Sequence, residues 1–286
     1  MEKIIFKNKY NKEIILSDHA PYILKKLNGL DSSANINLIK SPLQDGKTFN
    51  NSSFNEKSLS IELALISQDD KEMYELRKKL NNVFNPNNGE CTLQYEYGDY
   101  KRDIKVFIKN APKYKEDHQS DNRILDTIIH LVAPSPFWQD IYTESKLIAT
   151  WTGGLTFPLS LGTSFATKGS PRLDVINDGD LDTPLIIKFR GPAINPIIKN
   201  LRTNEFIKVK KELKESDVLE VNTEFGNKKV TIKKEDGQII NAFNFIDLNS
   251  TFFNLKVGKN IIECDSDDGS TKSKIKIDWK LRYVGI

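Results

Sequence analysis

Little in this chain of 286 residues could staple, ligate or cut. It holds two cysteines, Cys91 and Cys264, and three histidines, His19, His118 and His130. Two cysteines are too few for a disulfide framework, so both are expected as free thiols in a protein made in a reducing cytoplasm. None of the histidines stands in an H-E-x-x-H or other ligand spacing, which leaves no metal site to name. No window approaches the ~18 apolar residues of a membrane-spanning helix. The opening Met1 to Phe6 reads as a strand, not as the apolar core of a signal peptide. We therefore expect neither membrane insertion nor export by the usual route. A surplus of one charge is missing too: 42 Lys and Arg stand against 39 Asp and Glu, a formal net charge of +3. Basic and acidic residues interleave, as in Lys210-Lys211-Glu212-Leu213-Lys214-Glu215. That pattern argues against a specific nucleic-acid binder and reads as a solvated face or loop.

The motifs of catalysis are absent as well. The sequence has no P-loop, no G-x-G-x-x-G after a strand and no G-x-S-x-G elbow. Carboxylates such as Asp217, Glu220 and Glu224 are too numerous for any pair to mark a glycosidase. Asp265-Ser266-Asp267-Asp268-Gly269 resembles the start of a calcium loop. Its sixth position, however, is Ser270 where the EF-hand needs glycine, so it reads as a turn. Catalytic, cofactor-binding and metal-ligating residues are each read as none. Function is expected in surfaces, not in chemistry.

What is present is a boundary. Ile128 to Val132 reads as a buried strand that stops at Ala133-Pro134-Ser135-Pro136-Phe137-Trp138, because proline cannot donate to a sheet ladder. Two domains follow, 1–140 and 141–286, each long enough for its own core. The first has strands at 3–6, 13–16, 58–66, 91–97, 100–109 and 122–132, and one helix near 68–84. Ser67 is the expected cap of that helix. Met73, Leu76, Leu80 and Val83 form its buried stripe, and Asn85-Pro86 its stop. Residues 18–40 are weakly patterned strand with a break at Gly29.

Segment 41–57 is polar and rich in turn formers, a long loop or projecting hairpin. Segments of that length are usually functional or disordered. Phe49, Asn50 and Phe54 lie within it and are candidate residues of an inter-subunit arm. The second half carries many short strands with glycine turns, among them 194–199, 252–255 and 273–284, which means a β-sandwich or barrel. Trp279 alternates with Ile275 and Ile277 and is expected in the core. Trp138 and Trp151 are placed in or near loops, and Trp151 is a candidate platform for stacking a sugar.

The order of these pieces resembles a known family. The pieces are alternating Ser58–Ile66, the helix closing at Leu80-Asn81-Asn82-Val83-Phe84-Asn85-Pro86, Thr92 to Tyr97, Arg102 to Val106 and the Pro134 to Trp138 close. Then come Val175 to Asp180, Thr183 to Gly191, Asn195 to Asn200 and Leu255 to Ile262. Together they resemble the distal tail protein (Dit) family of long-tailed phages and related tail-like particles, over nearly the whole chain. The resemblance implies a mainly β protein with one helix, a split-barrel N-terminal domain and a galectin-like β-sandwich C-terminal domain. It also implies a homo-hexameric ring at the virion tail tip, joining the tail tube protein to the baseplate hub. The alternative is a glycan-binding module that recognises host cell-wall carbohydrate.

Overall fold

The computed structural model describes residues 2–115, 123–149, 172–268 and 273–286. Two compact units emerge: Met1–Ile141 together with Tyr283–Ile286, and Tyr142–Arg282.

The first unit contains β1 (Glu2–Lys7), β2 (Glu13–Leu16), β3 (Tyr22–Asn28), β4 (Ala34–Ile39), β5 (Thr48–Phe54), β6 (Lys57–Ile66), the helix α1 (Asp70–Val83), β7 (Cys91–Tyr97), β8 (Tyr100–Ile108), β9 (Lys113–Tyr114), β10 (Ile124–Ala133) and β11 (Trp138–Asp140). The main path runs β2-β1-β7-β8-β10-β6-β3. Its two ends, β2 and β3, are consecutive in sequence. Among the described residues they pair only through one parallel bridge, Ser17 with Ile23. The sheet therefore curls on itself without a closing ladder, and the barrel stays split.

Alternation decides which side chains face inward. In β6, Leu59, Ile61, Leu63 and Leu65 are buried, and in β10 Ile129 and Leu131 meet them from the neighbouring strand. β10 ends at Ala133, where Pro134 withdraws its donor. The turn between β7 and β8 has two central residues, and Gly98 supplies the positive φ (59°) that a tight hairpin requires there.

α1 presents Met73, Leu80 and Val83 to the barrel interior, and Phe84 just beyond it stacks on Phe6 at 4.0 Å. Its cap is Asp69 and not the expected Ser67. Asp69 accepts from the Glu72 amide at 2.8 Å, and Glu72 reaches back to the Gln68 amide at 2.7 Å. Ser67 is still committed to the sheet through its amide, which donates to the Arg123 carbonyl, so it cannot also open a helix. At the other end the buried Asn88 amide donates to the Val83 carbonyl at 2.8 Å, satisfying one of the helix's terminal acceptors.

The second unit contains β12 (Glu144–Ala149), β13 (Arg172–Asn177), β14 (Leu185–Arg190), β15 (Ala193–Ile194), β16 (Ile197–Asn200), β17 (Glu205–Lys208), β18 (Glu212–Leu213), β19 (Val218–Asn222), β20 (Lys229–Lys233), β21 (Ile239–Asn241), β22 (Gly258–Asp265) and β23 (Lys274–Trp279). A six-stranded sheet, β12-β23-β14-β19-β20-β21, and a four-stranded one, β13-β22-β16-β17, share one core. Ile187, Phe189, Val221 and Ile277 line it from the first, and Val175, Ile198, Ile207 and Cys264 from the second. This is a β-sandwich of antiparallel sheets.

Four local expectations change in this unit. The strand read at 194–199 is two pieces separated at Pro196, which has no amide to donate. Phe252 to Leu255 adds no strand; Leu255 makes a lone bridge to Thr183. The acidic-basic run at 210–215 is not wholly solvated, because Leu213 is buried in the core. The strand read at 273–284 also breaks: β23 ends at Trp279, and beyond it a last short strand, β24 (Arg282–Tyr283), pairs with β11, so Tyr283–Ile286 belongs to the first unit.

Candidate assembly surface

Among the described residues β4 and β5 pair only with each other, forming a two-stranded ribbon off the barrel path. Every residue of both strands is exposed. The segment 41–57, expected as a long loop or projecting hairpin, thus supplies the tip and the returning strand of a hairpin that spans 34–54. Its register sets which face each phenylalanine occupies. Ala34 faces Phe54, Ile36 faces Ser52 and Asn37 faces Asn51, but Leu38 then faces Phe49, with Asn50 left unpaired.

Phe49 and Phe54 are five apart, and in a regular strand an odd spacing puts side chains on opposite faces. The bulge at Asn50 absorbs one residue and returns Phe49 to the face of Phe54. The ribbon therefore has a mainly apolar face, Ala34, Ile36, Leu38, Phe49 and Phe54 with Ser52 among them, and a polar one carrying Asn35, Asn37, Thr48, Asn51 and Ser53. On the apolar face Ile36 is 57%, Leu38 45%, Phe49 60% and Phe54 42% exposed. The polar face carries one apolar residue, Ile39.

The sequence indicated Phe49, Asn50 and Phe54; it missed Ile36 and Leu38, whose alternation with Asn35 and Asn37 was the available signal. Phe54 is anchored at the ribbon's base, edge-on to Phe137 with ring centroids 5.2 Å apart.

No comparable convergence exists for chemistry. Among the described residues no group of three or more His, Cys, Asp or Glu could hold a metal. Asp217, Glu220 and Glu224 are claimed by separate cations: Lys234 at 2.6 Å, Lys188 at 3.8 Å and Arg282 at 3.1 Å. Burial raises the Asp217 carboxyl, but the Lys234 ammonium and the Lys214 amide outweigh it and hold the group below its ordinary value. Asp267 accepts from Asn195 at 2.7 Å and pairs with Lys208 at 3.1 Å; the rest of that acidic stretch, from Gly269, lies outside the described residues.

His19 contacts Asp18, His130 stands opposite Ser60 in the sheet, and His118 lies outside the described residues. Both thiols are buried, and burial pushes each thiol's pKa up. Trp138, expected near a loop, is fully buried and donates from Nε1 to the Leu30 carbonyl at 3.2 Å. Trp279 is buried as expected, and Trp151 lies outside the described residues. No described helix is long and apolar enough to cross a membrane.

Two family descriptions match the sequence in chain order. The phage tail protein RIFT-related domain matches residues 11–122, and the C-terminal domain of the siphovirus-type tail component matches residues 178–283. The chain belongs to the siphovirus distal tail protein family. It is a structural component of a phage tail.

Solved structures agree in fold. The Dit protein of phage SPP1, described as a paradigm of the hub adsorption apparatus in phages infecting Gram-positive hosts, aligns with a TM-score of 0.69 at 11% identity over 98% of both chains. A chain of the phage P2 baseplate, in its activated conformation with Ca, aligns with a TM-score of 0.58 at 15% identity over 97% of both. A chain of the phage p2 baseplate in its activated conformation with Sr gives a TM-score of 0.55 at 14% identity, over 97% of this chain and 98% of the other. No curated protein matches the chain in sequence.

Proposed function

We propose that this protein is the ring subunit of a tail-tip baseplate. Six copies close head to tail and join the tail tube protein to the baseplate hub. The observation that carries this reading is the ribbon 34–54. It holds one apolar face in water, and among the described residues no strand pairs with it beyond the hairpin itself. A contact between two different patches that closes by rotation generates a ring. Phe49 and Phe54 are the side chains the arm offers to a neighbour, and Asn50 is the bulge that aligns them.

The balance of 42 basic against 39 acidic residues suits a ring through which DNA passes without being held. The protein works as a scaffold and not as an enzyme, at the virion tail tip, after synthesis in the bacterial cytoplasm. Light-scattering mass over a concentration series, with electron micrographs of the most concentrated sample, tests this. Hexamers or stacked rings with a central hole are expected. A monomer at every concentration, with no rings on the grid, overturns the proposal that the chain self-assembles.

A further inference from the structure

The outer face of the six-stranded sheet breaks a rule that the other sheet of the sandwich keeps. Side chains directly opposite each other on neighbouring antiparallel strands stand about 4.5–5.5 Å apart at Cβ, and like charges placed so are destabilising. β14 and β23 set Lys188 opposite Lys276 and Arg190 opposite Lys274. These are two like-charge pairs side by side, on the face turned away from the core. Two strands beyond β14, β20 adds Lys233 in the row of Arg190 and Lys229 in the row of Ile186. Broken local rules of this kind concentrate at functional sites.

Carboxylates answer part of this charge. Lys276 pairs with Asp278 at 2.9 Å, and Lys188 reaches Glu220 at 3.8 Å. Arg190 donates to the Glu215 backbone carbonyl at 3.4 Å, which bears no formal charge. Lys229, Lys233 and Lys274 are exposed and have no partner among the described residues. The strand residues of this face thus hold six cations against two carboxylates, a surplus of four. The whole chain has a surplus of three, 42 basic against 39 acidic residues, so everything outside this face is one charge negative. The four-stranded sheet is the comparison within the same domain. On its outer face Arg172 stands opposite Glu263 and pairs with it at 2.7 Å, and Lys259 holds Asp174 at 2.7 Å. Bare cations are therefore no requirement of the sandwich.

We propose that the outer face of the six-stranded sheet is a docking surface for an extended phosphodiester polymer, with Lys188, Arg190, Lys274 and Lys276 at its centre and Lys229 and Lys233 on its flank. The row from Lys274 through Arg190 to Lys233 crosses three strand spacings, roughly 14 Å. That is too far for one small anion and suits a chain that carries charge at intervals. Five of the six cations are lysine, which meets phosphate as a point charge. Protein–protein interfaces are instead depleted in lysine and anchored by aromatic rings. The outward strand positions bear no aromatic ring; their larger apolar members are Leu147, Ile186, Val218 and Ile239. A neutral sugar would find no stacking platform there, and single-stranded nucleic acid no ring for its bases. A flat sheet offers nothing to enter the groove of a duplex. Phosphates seated between the opposed cations relieve a repulsion that the free domain bears.

The test is binding of fluorescein-labelled poly(glycerol phosphate) to the full chain, read by fluorescence anisotropy over a salt series at a protein concentration below assembly. Dextran, poly-L-glutamate and duplex DNA serve as competitors. Saturable binding that weakens as salt rises is expected. Arg190→Gln combined with Lys274→Gln is expected to weaken it at least tenfold and to make the log–log salt slope shallower by about 1–2. The melting temperature of that variant should be unchanged or raised, because a repelling pair is gone. Arg172→Gln, on the outer face of the other sheet, is expected to leave binding as it is. No saturable binding at low salt overturns the proposal, as does binding that the double variant leaves intact. Dextran competing as well as the phosphate polymer overturns charge as the basis of binding. Poly-L-glutamate or duplex DNA binding more tightly than poly(glycerol phosphate) overturns the choice of occupant. Should the double variant melt lower than the parent, Lys229→Gln combined with Lys233→Gln decides, with severalfold weaker binding expected and unchanged binding overturning the proposal. Because the readout is the unassembled chain, its outcome is separate from whether rings form.

Discussion

Replacing Phe49 with serine isolates what the arm's apolar face contributes to assembly. The side chain is 60% exposed in the chain by itself, so little of its burial stabilises the monomer. Full burial of a phenylalanine is worth about 1.5–3 kcal/mol. Only the exposed three-fifths can still be covered by a neighbour, which leaves about 1–2 kcal/mol per contact. Each contact should then weaken by about 5–30-fold, since about 1.4 kcal/mol is a factor of ten. Monomer stability should move by no more than about 0.5 kcal/mol, as for other surface changes. Sedimentation velocity over a concentration series reads the first quantity and a thermal melt the second. Asn51→Ser, on the polar face of the same ribbon, is the control and should leave assembly unchanged. An F49S chain that assembles like the parent, or an N51S chain that fails equally, would refute the assignment of the two faces.

Other expectations follow from the same structure. A Cβ on Gly29, whose φ is +86°, would stand 2.1 Å from the Ser58 carbonyl oxygen, so Gly29→Ala should cost about 2–4 kcal/mol and lower the melting temperature by several degrees. Leu63→Ala, at a fully buried position of β6, should cost about 2–5 kcal/mol in denaturant unfolding. Asp217 is held below its ordinary value, so its contribution is complete above the usual carboxylate range and is lost as pH falls through the depressed value; Asp217→Asn should flatten the acid limb of a pH–stability curve. Neither Cys91 nor Cys264 should react with a thiol reagent until the chain unfolds, and a fast-reacting thiol in the native protein would contradict their burial.

The sequence was most legible where a single period runs uninterrupted. Leu59 to Leu65, Met73 to Val83 and Ile275 to Trp279 each bury the face their spacing predicts. Pro134 ends its strand because the missing amide acts locally, whatever the tertiary context. What stayed hidden depends on partners distant in sequence. Ser67 and Asp69 are equally good caps on paper, and the Arg123 carbonyl decides between them by keeping Ser67 in the sheet. Trp138 follows two prolines and looks like a loop residue, yet the Leu30 carbonyl draws it into the core. The bulge at Asn50 has no marker in the Asn50-Asn51-Ser52-Ser53 run; it emerges only from pairing with β4. The return of Tyr283 to β11 joins residues more than a hundred positions apart and leaves no periodic trace.

That return brings both junctions of the second unit to one place. The chain leaves the barrel after β11, builds a whole sandwich, and re-enters through β24, which is hydrogen-bonded to β11 itself. Entry and exit are therefore neighbouring strands of one sheet, and a turn in place of residues 142–281 would join them. Change inside the sandwich can accumulate without altering where the chain leaves and rejoins the barrel.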